Sequence, residues 1–120
     1  MASKSDIQIA RRLANQSIHD FQLGAVLIRG GRVLGVGYNR VDLAGGTPIR
    51  SVHAEEAAIR NARGRCKGAI LIVVRISRQM GGVFTMAQPC RRCFRRIKES
   101  GVKTLVYTNW NGELVTIKNP

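Results

Sequence analysis

Two short segments carry the side chains that could do chemistry, His53-Ala54-Glu55 and Pro89-Cys90-Arg91-Arg92-Cys93. Cys90 and Cys93 are three positions apart, so their sulfurs face the same point if the segment is helical. Together with His53 they form a set of three soft or borderline metal ligands. Three protein ligands that leave one position open are typical of a catalytic zinc site, whereas a structural site is usually closed by four ligands. The spacing therefore predicts one zinc ion per chain.

Glu55 follows His53 by two positions and is not needed as a ligand. A carboxylate beside a metal-activated water can take its proton and can later return a proton to a leaving amine. Taken alone, the two cysteines could be a redox pair or half of a structural zinc site, and a histidine two residues before a glutamate is common by chance. Their joint occurrence, each at the start of a predicted helix, favours a catalytic metal site with Glu55 as the catalytic residue.

The elements that must position these residues alternate along the chain in the order α-β-β-α-β-α-β-β. Apolar periodicity and turn residues predict helices at 6–18, 52–62 and 90–101, and strands at 24–29, 32–38, 69–74, 103–108 and 114–117. Gly30-Gly31 and Asn111-Gly112 predict hairpin turns, and residues 42–48, rich in turn formers, predict a loop. This order is typical of an α/β sandwich, a mixed sheet with helices packed on it.

The two chemical segments, in this order, resemble the cytidine and deoxycytidylate deaminase superfamily, whose signature is H-x-E followed by P-C-x-x-C. Residues 21–27, 37–40 and 101–107 are also similar to family segments, so the resemblance covers most of the chain. It implies a single zinc-dependent deaminase domain over residues 1–120. The implied fold is a three-layer α/β/α sandwich with a five-stranded mixed sheet and a C-terminal β-hairpin.

The resemblance also implies the roles of individual residues. Zinc would be bound by His53, Cys90 and Cys93. Glu55 would move protons between water and the leaving amine, while Asn39 and the backbone of Ala54 would contact the substrate. A water activated by the metal would attack the ring carbon that bears the amine, and ammonia would leave.

Two features bear on the choice of substrate. The connection at residues 109–113 is too short for the helix that tRNA adenosine and deoxycytidylate deaminases insert before their last strand, and it resembles the free cytidine deaminases instead. This favours cytosine over adenine. The free cytidine deaminases, however, have cysteine in place of His53 and an acidic residue close to Asn39, where this chain has Arg40. That departure argues against an unphosphorylated nucleoside.

The charge of the chain favours a phosphate-bearing substrate. Lysine and arginine number 20 against 7 acidic residues, a net charge of +13, and so large an imbalance repels itself unless an anion is near. Contacts to phosphate or nucleic acid are predicted for Arg50, Arg78, Arg91 and Arg92, although a solvated helix face would also explain the last two. Trp110 and Phe84 could stack on a base or could pack against the fold.

The length and the remaining composition limit the classes of protein to which the chain can belong. A chain of 120 residues with 44% apolar residues suffices for one domain. We find no apolar run long enough to span a membrane and no apolar leader, so a cytoplasmic location without a membrane partner is expected. Three cysteines are too few for a disulfide scaffold. Cys66 is expected to be an inert thiol, and His19 a structural residue.

The leading hypothesis is a zinc-dependent hydrolase that converts cytosine to uracil in a nucleotide or in single-stranded DNA or RNA. Adenine deamination in RNA is an alternative within the same class. A third hypothesis is a non-catalytic, zinc-stabilised domain that binds nucleic acid, against which the intact Glu55 argues. The expected partner is accordingly a cytosine nucleotide or a single strand, and assembly into a homo-oligomer is left open.

Overall fold

The computed structural model of the chain describes residues 2–18 and 21–120, so His19 lies outside the described residues. The helices of this part are α1 (Lys4–Gln16), α2 (Ala54–Asn61) and α3 (Arg91–Ser100). The strands are β1 (Gln22–Arg29), β2 (Arg32–Tyr38), β3 (Arg40–Ala44), β4 (Thr47–Val52), β5 (Ile70–Ser77), β6 (Val83–Thr85), β7 (Thr104–Thr108) and β8 (Leu114–Lys118). Every predicted element is present, in the predicted order, and β3, β4 and β6 are additional.

The main sheet is mixed and has six strands in the described part of the chain, where the sequence predicts five. Its order is β2-β1-β5-β7-β8, and the short β6 pairs with β5. β5 and β7 run parallel, whereas the C-terminal hairpin of β7 and β8 is antiparallel, as predicted. The sixth strand forms because β5 continues to Ser77 instead of ending at residue 74, and this extension pairs with Val83–Thr85.

The side chains of β5 alternate between two buried clusters on the two faces of the sheet. Leu71 and Val73 pack in the cluster that includes alanines of α2 and Ile97 of α3. Ile72 and Val74 pack on the opposite face with residues of α1. A strand buried on both faces is what the continuous apolar run predicts. The α/β/α sandwich of three layers is therefore confirmed.

Residues 40–52 form a separate two-stranded sheet, β3–β4, where the sequence predicts a loop over residues 42–48. The turn lies at Gly45 and Gly46, whose φ angles of +59° and +84° are in the left-handed region that favours glycine. The loop prediction was wrong because these strands carry Pro48 and few alternating apolar residues, so only the Gly-Gly turn marks the hairpin. β4 leads directly into His53 and thereby connects this hairpin to the chemical segments.

The first helix begins earlier than predicted. Ser3 is its N-cap: the Ser3 hydroxyl accepts a hydrogen bond from the Asp6 backbone N–H at 3.2 Å, and the Asp6 carboxylate accepts one from the Ser3 N–H at 3.2 Å. This reciprocal pair is a capping box, and it starts the helix at Lys4 instead of residue 6. In the described part of the chain, no helix has the length and apolar character needed to cross a bilayer.

Candidate active site

The metal-ligand candidates lie at the starts of two helices. His53 is the N-cap of α2 and Cys90 the N-cap of α3, while Cys93 is the third residue of α3. Free N–H groups at a helix start favour negative charge nearby, which suits a thiolate ligand. Pro89 precedes the second helix, and Gly101 ends it with a φ of +85°.

The three ligand atoms converge on one point. The Nδ1 atom of His53 lies 3.2 Å from Sγ of Cys93 and 3.9 Å from Sγ of Cys90. All three atoms lie within 4.8 Å of one another, so these residues are positioned to bind one metal ion. One imidazole nitrogen and two sulfurs form a donor set that zinc prefers over harder cations. The residues present therefore fit zinc.

Small residues allow α2 to lie against β2 and so bring His53 to the edge of the sheet. A Cβ atom added at Gly37 would lie 2.5 Å from the carbonyl oxygen of Ala54 and 2.6 Å from Cβ of Ala57. Such distances are far below van der Waals contact, so only glycine fits at this position. The start of the helix, with its histidine, is positioned by this close approach.

Thr108 positions the segment that leads to the cysteines. Its buried hydroxyl donates a hydrogen bond to the carbonyl oxygen of Thr85 at 2.6 Å and accepts one from the N–H of Arg75 at 3.3 Å. Its own carbonyl accepts a hydrogen bond from the N–H of Ala87 at 2.8 Å. These bonds tie residues 85–87 to the ends of β5 and β7, shortly before Cys90.

Two neighbouring glutamates in the first turn of α2 have opposite electrostatic surroundings. Glu55 is only 3% exposed, and burial raises its pKa above the ordinary value. Burial also acts on Glu56, but the hydrogen bond from Arg92 and the charges of Arg92 and Arg96 outweigh it and lower the pKa of Glu56. Glu55 therefore has the environment of a group that exchanges protons, whereas Glu56 is a fixed anion.

A cavity of about 590 Å³ opens beside the ligand atoms. Its walls include the predicted residues His53, Glu55, Cys90, Asn39 and Ala54. The Asn39 side chain is held in place by β1 and the residue before it: its oxygen accepts from the N–H of Leu23 at 2.9 Å, and its amide donates to the carbonyl of Phe21 at 2.5 Å. The volume is sufficient for a small ligand.

Arg75 and Phe21 also form part of the cavity wall. The guanidinium carbon of Arg75 lies 4.2 Å from the centre of the Phe21 ring, a cation–π contact. The Nε atom of Arg75 is buried and has no hydrogen-bond partner in the described part of the chain. Arg75 lies beyond the predicted end of β5, and no local motif links it to Phe21, so this pairing could not be found from spacing.

The two aromatic residues predicted at the substrate lie elsewhere. Trp110 is 70% exposed in the turn between β7 and β8, and it is not among the residues that line the cavity. Phe84 lies in β6, where Arg11 is stacked 5.1 Å from its ring centre and Gly112 lies close to its backbone. Phe84 thus packs against the fold and does not reach the cavity. A stacking role for Trp110 stays a prediction.

The structure separates the four arginines predicted to contact phosphate. Arg78 donates a hydrogen bond to the carbonyl of Ser17 at 3.1 Å. Arg91 lines a separate surface groove along α3, together with Phe94. Neither of these two arginines lines the cavity. Arg50 and Arg92, in contrast, line one common cleft of about 330 Å³. Two of the four predicted arginines are therefore brought together.

This smaller cleft, which we call the arginine cleft, contains two further arginines, Arg60 and Arg96. Its charged lining residues are Arg50, Arg60, Arg92, Arg96 and Glu56. It shares Ser51, Val52 and His53 with the wall of the larger cavity, so the two spaces adjoin.

Cys66, the remaining cysteine, is buried in the core, where burial raises the pKa of its thiol, and it is not part of the metal group.

Comparison with known proteins identifies the class that this fold and this site define. Residues 3–109 match the family described as the cytidine and deoxycytidylate deaminase zinc-binding region, and the chain therefore belongs to that family. No curated protein matches the chain at a significant level.

Solved structures share the fold. A dCMP deaminase from the cyanophage S-TIM5 is 21% identical with a TM-score of 0.68, over 92% of this chain and 86% of that one. A cytidine deaminase from Mycobacterium leprae is 22% identical with a TM-score of 0.60, over 96% of this chain and 94% of that one. A Thermotoga maritima diaminohydroxyphosphoribosylaminopyrimidine deaminase/reductase is 27% identical with a TM-score of 0.60, over 86% of this chain and 28% of that one.

Proposed function

We propose that residues 1–120 act as one zinc-dependent hydrolytic deaminase domain, which converts cytosine to uracil in a substrate that carries phosphate, either a nucleotide or a single strand. The observation that carries the proposal is the meeting of a three-ligand metal site with the buried carboxyl group of Glu55 at one cavity. A structural zinc site has no use for such a carboxyl group or for an adjoining cavity.

Each lining residue has a role that its surroundings support. Zinc held by His53, Cys90 and Cys93 would supply a Lewis acid that makes a water nucleophilic at neutral pH. Glu55 takes a proton from the attacking water and delivers one to the departing amine, because its burial keeps its proton affinity high. In the balanced reaction one C–O bond forms, the exocyclic C–N bond breaks and ammonia leaves.

The cavity wall supports the choice of a phosphate-bearing cytosine. Asn39 and the backbone of Ala54 contact the substrate, as the family resemblance implies, and both line the cavity. Arg40 and Arg75 on the same wall supply cationic groups for a phosphate. The antiparallel hairpin of β7 and β8 supports cytosine over adenine, since it matches the arrangement that the resemblance associates with cytidine deaminases.

The experiment is an assay of the purified, zinc-loaded protein against four substrates: cytidine, deoxycytidylate, a cytosine-containing single strand and an adenine-containing single strand. We expect uracil to form from the phosphate-bearing cytosine substrates. Activity on cytidine alone would overturn the phosphate requirement, and inosine as the only product would establish adenine deamination instead. No product from any substrate, with one zinc bound per chain, would favour the non-catalytic binding domain.

A further inference from the structure

The arginine cleft adjoins the cavity on the side where β4 ends and His53 follows it. Arg50 belongs to β4, while Arg60 lies in the last turn of α2 and Arg92 and Arg96 lie on α3. Elements far apart in the sequence thus direct four guanidinium groups into one concave surface. Ser51, Val52 and His53 line both spaces, so the arginine cleft lies directly beside the cavity.

The cleft is cationic, and ion pairs orient some of its arginines. Its lining has four arginines against one carboxylate, that of Glu56. Glu56 is 6% exposed; it accepts a hydrogen bond from Arg92 at 2.7 Å and lies 3.4 Å from a nitrogen of Arg96, so one buried anion fixes two guanidinium groups. Arg50 binds Asp42 at 2.7 Å. Arg60 has no ion pair in the described part of the chain.

A second copy of this chain does not suit the cleft. The chain has 7 acidic residues; of these, Glu55 and Glu56 are buried and Asp42 already binds two arginines. A mononucleotide does not need the cleft either, because Arg40 and Arg75 already line the cavity itself. A strand has further phosphates outside the cavity, because its backbone continues on both sides of the nucleotide that enters. Planar guanidinium groups are well suited to bind such phosphates.

We propose that the arginine cleft binds the backbone phosphates of a single-stranded nucleic acid, next to the cytosine that enters the cavity. The proposal rests on the proposed function and names its substrate class. Arg60 and Arg96 contact the phosphates, and Glu56 holds Arg92 and Arg96 in place for them. A strand is favoured over a duplex because the base must leave its stack to reach the metal site.

The test is the salt dependence of binding of a fluorescein-labelled single-stranded DNA, about 12 nucleotides long with one central cytosine, measured by fluorescence anisotropy. Each phosphate contact contributes about 0.7 to the slope of log K against log salt. The double variant R60A/R96A is therefore expected to have a slope about 1.4 smaller and, at about 0.1 M salt, about 25-fold weaker binding.

The matched control is R12A/R32A, which removes the same charge from two exposed arginines that line neither the cavity nor the cleft. We expect this control to lose less than a third as much affinity as R60A/R96A, on a logarithmic scale. Equal losses in the two double variants would overturn the proposal in favour of diffuse charge, as would a wild-type protein that does not bind the strand. Anisotropy reports binding whether or not the strand is deaminated, so an absence of deaminase activity contradicts the proposed function and leaves this result readable.

Discussion

At the scale of single residues, the most informative contrast is between Glu55 and Glu56. They are adjacent and chemically identical, yet burial raises the pKa of Glu55, whereas for Glu56 the effect of burial is exceeded by Arg92 and Arg96 and the pKa is lowered. The direction in which each side chain points on α2 decides this difference. Only Glu55 lines the cavity; Glu56 lines the arginine cleft.

The first prediction concerns Glu55 itself. In Glu55→Gln, the amide keeps the shape of the side chain but cannot accept a proton, so we expect kcat to fall by about 100-fold to 10,000-fold. Zinc content should stay at one ion per chain because Glu55 is not a ligand. Steady-state deamination and elemental analysis measure the two quantities. Glu99→Gln, an exposed glutamate on α3, is the control; turnover retained in Glu55→Gln contradicts the proton-transfer role.

The second prediction concerns the pH dependence of zinc binding. Burial, and after it the Glu55 carboxylate, raise the pKa of the Cys93 thiol, so this thiol keeps its proton at neutral pH when no metal is bound. Zinc binds the thiolate, and the proton is released on binding. Zinc affinity should therefore fall as pH falls, by about tenfold per pH unit for each proton released.

Competition with a chelator of known affinity, between about pH 6 and about pH 8, measures this dependence. Cys93→Ser should bind zinc more weakly and with a shallower pH dependence. The matched substitution Cys66→Ser, at a buried cysteine outside the metal group, should keep the wild-type dependence. A zinc affinity that does not change over this pH range would contradict the assignment of Cys93 as a thiolate ligand.

At the scale of elements, the geometry of the site depends on the positions at which β5 and β7 end. β5 ends at Ser77 and β7 at Thr108, and the chain between β6 and α3 is tied to both of them. This tie determines where Cys90 and Cys93 lie relative to His53, which is held from the opposite side by the packing of α2 on β2. Two elements far apart in sequence must therefore be positioned independently for the ligand atoms to meet.

The third prediction is that Thr108→Val lowers the free energy of unfolding by about 1–3 kcal/mol, because the partly buried carbonyl of Thr85 loses its hydroxyl partner. Urea unfolding in the presence of a chelator measures this effect without a contribution from zinc. Thr104→Val is the matched control in the same strand, since the Thr104 hydroxyl makes no hydrogen bond in the described part of the chain. Equal effects in the two variants would contradict the positioning role of Thr108.

At the scale of the whole molecule, charge is the dominant feature. Of the 20 basic residues, only Arg40, Arg50, Arg92 and Arg96 have ion pairs in the described part of the chain. The remaining cations repel one another across a small domain. Without salt or a bound anion, this repulsion lowers the free energy of unfolding of the protein, relative to a domain of balanced charge.

The fourth prediction is that Tm rises by a few degrees when sodium chloride is increased from about 0.01 M to about 0.15 M, because the screening length falls from about 30 Å to about 8 Å. Differential scanning fluorimetry measures the shift. R12A/R32A, with two fewer cations, should have a smaller rise than wild type. A Tm that stays constant or falls with salt would contradict net repulsion as a term in the stability of this protein.

The sequence by itself predicted the metal-ligand set, which the structure brings together, and the order of the main elements. The catalytic role of Glu55 stays a proposal. The predicted features are local properties: the H-x-E and P-C-x-x-C segments, the Gly-Gly turn and the apolar run of β5 each lie within a few neighbouring residues. Hydrophobic periodicity and turn-forming residues can be recognised within segments of that length. The C-terminal hairpin was also predicted for this reason, because Asn111-Gly112 marks its turn.

Tertiary structure alone decided which side chains share a space. The pairing of Phe21 with Arg75, the packing of Phe84 against Arg11 and the meeting of Arg60 with Arg96 join residues on different elements. β6 likewise forms only because it pairs with the end of β5. Contacts of this kind follow from how the layers pack and how far each strand extends, and no pattern within a single segment encodes them.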